Sequence, residues 1–354
     1  MENMKIKSYR REYSVEFVGE FLPVLTEQVR ERDMIILDKN VHDLYPELAG
    51  FVKGRRHRLL APSEQAKSYQ ALAPLIDELI RGGFSKTDRL VAIGGGIVQD
   101  ITAFTASILF RGVGWLFFPT NLLTQCDSCI GSKTSINFGE YKNQLGGFYP
   151  PEHIFVCTGM LETLSDRDFR SGIGEMWHYF CVSGREDVNW AKKRVFEALE
   201  SKKGLDELIF RSLSIKKAMI ERDEFDQGPR NVFNFGHSFG HAIESATDFA
   251  VPHGIAVSFG MDLANLISVK LNLIDLALRN ELREQFEPVW KGFSVKNVDF
   301  ERFLGALKRD KKNEGTQIKV ILTRGLGDMF KTTLELDDEM LDLMRDYLKT
   351  ADAQ

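Results

Sequence analysis

Three histidines fall within seventeen residues, in NFGHSFGHAIE (234–244) and PHGIAVSFGM (252–261), out of seven in the whole chain. His237 and His241 are four apart, so on a helix they share one face, and His253 follows after a turn at 250–252. A helical hairpin that joins two imidazoles to a carboxylate makes a three-ligand catalytic metal site with one position open to substrate. Buried or capping histidines are the plainer alternative. The carboxylate has to come from elsewhere, and Glu175 in SGIGEMWHYF is the candidate, because it stands in an apolar helical segment where an unpaired carboxylate is costly.

A second pattern, AIGGGIVQD (92–100), sets three glycines between a buried strand and a helix. Backbone there can approach a pyrophosphate closely, and a helix N-terminus offers free N–H groups. The dinucleotide fingerprint is incomplete, since Gln99 stands where its last glycine belongs. A tight turn without a ligand is the other reading. Asp38, closing the strand at 34–38, suits a ribose hydroxyl or a simple turn. A third stretch, 125–151, is polar and glycine-rich and carries Asp127, Lys133, Lys142 and Asn143 between apolar flanks. Its lysines suit a phosphate or carboxylate if the loop is tucked into a cleft. Cys126 and Cys129 form a C-x-x-C without a second pair, which argues against structural zinc or redox work. Lys216, Arg230 and Lys311–Lys312 count only if the fold brings them to the histidines.

The elements that must position these residues follow from apolar patterning. Strands are expected at 34–38, 57–61, 89–93 and 115–119, alternating with helical stretches at 63–83 and 97–110. That alternation predicts a parallel sheet flanked by helices. From about residue 160 amphipathic helical segments dominate (161–180, 188–224, 231–249, 254–273, 276–290, 298–311 and 336–350), with one strand-like stretch at 318–323. The expected organisation is an α/β, Rossmann-like unit over 1–158 and a mostly helical unit over 159–354, with ligand beyond the strand ends. With 46 basic and 51 acidic residues in 354, the net charge of −5 argues against phosphate-neutralising nucleic-acid binding and leaves room for a local basic pocket for a small anion. No apolar run reaches membrane-span length and MENMKIKSYRREYS has no signal core, so the chain reads as cytoplasmic.

Taken in order, GGGIVQD, FRG, FPTNLLTQCDSCIGSKTSIN, YKNQLGGFYPP, LETLSDRDFRSGIGEMWHY, RNVFNFGHSFGHAIE, HGIAVSFGM and RDKKNEG resemble dehydroquinate synthase and its relatives, the sugar phosphate cyclases. The resemblance covers about residues 36–323. It implies an NAD domain, a helical metal-binding domain and a homodimer. Carried over by position, Glu175, His237 and His253 would hold zinc or cobalt, and His241 would stand near the substrate phosphate. Asp127, Lys133, Asn143, Lys216, Arg230, Asn234 and Lys311 or Lys312 would line the pocket for a phosphorylated keto-sugar. Arg111 of FRG would reach a phosphate across the dimer interface. Asp38, Asn40, Glu64, Lys67, Gly95, Gly96, Asp100, Thr120 and Thr163 would contact NAD, with Lys142 beside them. The implied chemistry is transient oxidation of a secondary hydroxyl, elimination of phosphate, return of the hydride and aldol closure of a carbocycle.

Several positions depart from the family pattern. His178 stands where a hydroxyl-reading lysine is usual, Asn121 replaces a threonine, Ile255 a glutamate, Cys157 an aspartate and Gln99 a glycine. Arg230, Lys216 and Asn234 match positions that hold a substrate carboxylate, which favours 3-deoxy-arabino-heptulosonate 7-phosphate as substrate. His178 keeps other sugar phosphates, such as sedoheptulose 7-phosphate, in view. A metal- and NAD-dependent polyol dehydrogenase and a non-catalytic binding protein are the readings from other classes.

Overall fold

The computed structural model describes residues 3–139, 141–308 and 317–351. The chain divides into two compact units, Met1–Leu164 with Lys216–Phe225, and Ser165–Ile215 with Asp226–Gln354. The chain therefore returns once to the first unit after entering the second.

The first unit runs β1 (Met4–Ile6), β2 (Tyr13–Phe17), α1 (Phe21–Gln28), β3 (Met34–Asp38), α2 (Lys39–Leu44), α3 (Pro46–Val52), β4 (His57–Leu60) and α4 (Tyr69–Arg81). It continues with β5 (Arg89–Gly94), α5 (Gly96–Ile108), β6 (Gly114–Pro119), β7 (Lys133–Phe138), β8 (Tyr141–Phe148) and β9 (His153–Val156). Seven strands form one sheet in the order β1-β2-β9-β6-β5-β3-β4, parallel throughout except where β1 runs antiparallel to β2. Every residue of β3 and β5 is buried, which is why these strands read as unbroken apolar runs rather than alternating ones. Leu37, Ile93 and Phe118 pack under Leu25 and Leu48, and the Phe118 and Phe155 rings stack 4.8 Å apart. The expected helix at 63–83 starts later, at Tyr69, because the Ser68 side chain accepts from Ala71 N and caps it there. The polar stretch at 125–151 is not a plain loop. β7 and β8 pair as an antiparallel hairpin with an irregularity between Ile136 and Phe138.

The second unit holds α6 (Asp166–Ser183), α7 (Arg185–Ser201), most of α8 (Leu205–Ile220), α9 (His237–Ala246), α10 (His253–Lys270), α11 (Leu276–Trp290), α12 (Phe300–Lys308) and α13 (Asp338–Thr350). The helical stretch expected at 188–224 is broken between α7 and α8, where Lys202 and Gly204 take φ of 54° and 71°. The strand expected at 318–323 is β10 (Gln317–Thr323), and it pairs antiparallel with β11 (Met329–Glu335), which the sequence pattern did not announce. α10 is the hub of this unit. Fourteen of its eighteen residues are buried, so it has no polar face. Its fully buried Asp262 is held by Arg279 and Arg283 of α11, a pairing that offsets the cost of burying the charge. No helix among the described residues is long and apolar enough to cross a membrane.

Candidate metal centre and dinucleotide turn

In the second unit, α6, α9 and α10 bring Glu175, His237 and His253 together, with one ligand atom of each within 4.8 Å of the others. His237 Nε2 lies 3.6 Å from Glu175 Oε1 and His253 Nε2 lies 3.6 Å from Glu175 Oε2. Glu175 is buried, and its Oε2 makes no hydrogen bond among the described residues. Burial alone would raise this carboxyl's pKa, but the His237 and His178 imidazoles beside it hold it well below the ordinary carboxylate value. A buried carboxylate whose two oxygens each face an imidazole nitrogen, one of those oxygens without a hydrogen bond, is a donor set that fits a divalent cation.

Glycines make this approach possible. A Cβ on Gly174 would lie 2.2 Å from Gly254 O, and one on Gly254 would lie 1.8 Å from Ser171 O. The backbones of α6 and α10 are thus in contact one residue from Glu175 and from His253. Gly254 N also donates to Ser171 Oγ at 3.0 Å. His253 is the first residue of α10 and His237 the first of α9, so each ring leaves a helix start.

His241 stacks on His253 at 5.5 Å and meets His237 edge-on at 5.5 Å. Its outer edge is exposed. Desolvation by the surrounding protein, followed by the His253 and His237 rings, lowers its pKa to about 3, so it is a neutral base at neutral pH. His178 is placed differently from a hydroxyl-reading lysine. It is fully buried, with its ring 5.0 Å from that of His237 and 5.6 Å from that of Phe233. Arg230 and Asn234 lie in the 3-10 segment Pro229–Asn234 leading to α9, with Arg230 buried.

In the first unit, β5 ends at the glycine turn and α5 begins at Gly96, capped by Gly95 in extended backbone. Thr120 N donates to Gly94 O at 3.1 Å, which sets Thr120 beside Gly95 and Gly96. The Asp38 carboxylate accepts from Asn40 N at 2.8 Å and caps α2, and burial raises its pKa. Lys67 Nζ pairs with Asp100 Oδ2 at 2.5 Å and donates to Asn143 Oδ1 at 2.7 Å. Glu64 accepts from Asn137 Nδ2 at 2.8 Å and pairs with Lys142 at 3.7 Å. These polar groups form one cluster between α5 and the β7–β8 hairpin, so Asn143 sits with the residues assigned to the dinucleotide. Lys216 Nζ, buried, donates to both Asp127 O and Asp127 Oδ1 at 2.7 Å. Lys133 opens β7 and is exposed. Thr163 Oγ1 is 2.9 Å from Tyr45 Oη, apart from the cluster's own contacts. Arg111 is not brought to the glycine turn. It is exposed beyond the far end of α5, ~20 Å along that helix from Gly96. Lys311 and Lys312 lie outside the described residues.

The unusual residues have local duties. Asn121 Oδ1 accepts from Thr124 N at 2.9 Å and so caps the widened helical turn Thr124–Ser128 that carries Asp127. Gln99 Nε2 donates to Ser128 O and Ser128 Oγ to Gln99 Oε1, both at 2.6 Å, which ties that turn to α5. Ile255 is fully buried. Glu244 is absent from the candidates read off the sequence, yet its Oε2 is 3.0 Å from His253 Nδ1. Its place seven residues after His237 on one helix face was the available signal.

A parallel-sheet unit with a glycine turn, followed by a helical unit that gathers one carboxylate and two imidazoles, defines the class of this protein. The family model described as 3-dehydroquinate synthase N-terminal matches residues 57–171, and that described as 3-dehydroquinate synthase C-terminal matches 172–313. A 3-dehydroquinate synthase of Streptococcus equi subsp. equi is 32% identical, over 99% of this chain and 99% of the relative. The chain belongs to the 3-dehydroquinate synthase family of enzymes. Among solved structures, 2-deoxy-scyllo-inosose synthase complexed with carbaglucose-6-phosphate, NAD+ and Co2+ superposes with a TM-score of 0.88 at 22% identity, covering 98% of this chain and 99% of that one. The 2-epi-5-epi-valiolone synthase of Streptomyces hygroscopicus subsp. jinggangensis, with NAD+ and Zn2+ bound, superposes with a TM-score of 0.84 at 24% identity, covering 96% and 97%. At these identities the likeness is one of fold.

Proposed function

We propose that the protein is an NAD- and divalent-metal-dependent sugar phosphate cyclase, with 3-deoxy-arabino-heptulosonate 7-phosphate as substrate and 3-dehydroquinate as product. The observation that carries this reading is the Glu175–His237–His253 cluster in a chain of this family. When bound, zinc or cobalt held by those three residues would polarise a substrate hydroxyl, and NAD+ at the glycine turn would take up a hydride and return it. Gly95 and Gly96 offer backbone N–H groups to the pyrophosphate, while Asp38, Asn40, Thr120 and Thr163 serve the rest of the dinucleotide. Lys67, Asp100, Glu64 and Lys142 hold the α5 end of that site. His241, neutral at working pH, accepts the proton released as a substrate hydroxyl is oxidised. Lys133 binds the phosphate, and Lys216, Arg230 and Asn234 the carboxylate, with Asp127 holding the Lys216 ammonium and Asn143 standing beside Lys67 on the dinucleotide side. Arg111, exposed beyond α5, serves a second copy of the chain in a homodimer.

His178 favours a second reading in which another sugar phosphate is turned over. Buried beneath His237, it offers no polar atom at the surface where a lysine would read a hydroxyl. One assay separates the readings. The chain with NAD+ and Co2+ is given heptulosonate, heptulose and hexose phosphates in turn, and phosphate and NADH are followed together. Phosphate release from the heptulosonate without net NADH is the expected result. Release only from a heptulose or hexose phosphate transfers the proposal to that substrate, and net NADH build-up marks a polyol dehydrogenase.

Lys133→Ala tests the phosphate site. An exposed strand-end lysine contributes little to stability, so turnover is expected to fall roughly 10- to 100-fold while the melting temperature holds within about 1 °C. A large drop in melting temperature would mark Lys133 as structural instead.

A further inference from the structure

Both imidazoles of the cluster are engaged on their far side. His237 Nδ1 lies 3.2 Å from Phe235 O, and its Nε2 faces Glu175 Oε1. His253 Nδ1 lies 3.0 Å from Glu244 Oε2, and its Nε2 faces Glu175 Oε2. A carbonyl or carboxylate oxygen can only accept, so each Nδ1 is the donor in its bond and Nε2 is the nitrogen left to meet a cation. For His237 the acceptor is backbone and comes with the fold. For His253 it is a side chain on a different helix, and that side chain is only 12% exposed. A carboxylate placed at the second nitrogen of a ligating histidine fixes its tautomer and ring angle and raises its basicity.

We propose that Glu244 is a positioning residue of the cation site, holding the His253 ring as a neutral Nδ1–H tautomer aimed at the cation that Glu175, His237 and His253 would bind. The proposal rests on the metal reading of that cluster. His241, Glu244 and His253 also lie within 4.8 Å of one another and so form a rival ligand group. That group would use Glu244 as a ligand rather than as a hydrogen-bond partner of His253, and the titration separates the two roles.

The test is a Co2+ titration of the metal-stripped full chain, read by visible absorption and by equilibrium dialysis, for the wild type, Glu244→Ala and Glu244→Gln. The wild type is expected to bind one ion. Glu244→Ala should weaken binding about 10- to 100-fold with one ion still bound and the band shape kept, and Glu244→Gln, which retains an acceptor oxygen, should restore most of the affinity. A Glu244→Ala affinity within about twofold of wild type overturns the proposal while leaving the metal site standing. Two ions on wild type and one on Glu244→Ala overturns it by making Glu244 a ligand. A wild-type chain that binds no Co2+ overturns the metal reading itself. If the alanine chain fails to fold, nitrogen shifts of 15N-histidine in the Zn2+-loaded wild type decide. A protonated Nδ1 at His253 supports the role, and a metal-bound Nδ1 ends it.

Discussion

Replacing His237 with Ala is expected to abolish tight divalent-cation binding and to lower phosphate release by ~1000-fold or more, with the far-UV spectrum unchanged. Removing a group that only orients a ligand costs 10- to 100-fold in affinity in metal sites generally, so deleting a ligand outright should cost more. Here the remaining pair would be one carboxylate and one imidazole, His253 and Glu175, which stand 3.6 Å apart and leave half of the coordination sphere to water. His237 starts α9, caps nothing with its ring and is only partly buried, so its removal should leave the helix in place while withdrawing an imidazole from beside the buried Glu175. Metal content after exhaustive dialysis against trace zinc is the deciding measurement. Full occupancy in the variant would refute the ligand assignment, whatever happens to turnover.

The second large effect is structural. Gly254→Ala is expected to lower the melting temperature by roughly 5–10 °C and to weaken cation binding with it. The added Cβ would sit 1.8 Å from Ser171 O and 3.0 Å from Glu175 N, both backbone atoms that no rotamer change can move. Overpacking costs typically about 1–3 kcal/mol, and a contact with main chain falls at the upper end. The only relief is separation of α6 from α10, which pulls Glu175 away from His253. Gly305→Ala in α12 is the matched control. A Cβ there meets nothing within 4 Å, and removing glycine from a helix should stabilise slightly. Equal melting temperatures for the two variants would show that the α6–α10 contact yields to an added methyl group.

How much of this was legible beforehand depends on what each segment buries. β3, β5 and β6 are covered on both faces, so MIILD, RLVAIG and GWLFFP show as apolar runs. β8 is exposed or half-exposed along its whole length and reads YKNQLGGF, which gives no alternation from which a strand could be inferred. The break between α7 and α8 hangs on two left-handed residues, and only Gly204 advertises itself in the sequence. At the metal centre, helical spacing brought out the histidines, and an apolar setting singled out Glu175. Glu244 was hidden because a glutamate near a helix end looks like ordinary surface. The family pattern suggested that His178 faces the substrate, and only packing revealed the ring tucked between Phe233 and His237. Gln99 and Asn121 looked like losses from a dinucleotide motif, and the fold shows them bracing the turn that bears Asp127.

The return of Lys216–Phe225 to the first unit has a consequence for anyone who would dissect this chain. Ser8, Tyr9 and Ser132 all bond to the Glu224 carboxylate, and Asp127 to Lys216, yet these partners are separated by 89 to 216 positions. A fragment ending at Leu164 would lack both anchors, and a nascent polypeptide cannot finish its amino-terminal half until the ribosome has passed Phe225. Expression boundaries drawn at the obvious change of texture should therefore yield insoluble halves, whereas a clip in the loop between α7 and α8 should leave a nicked but assembled molecule.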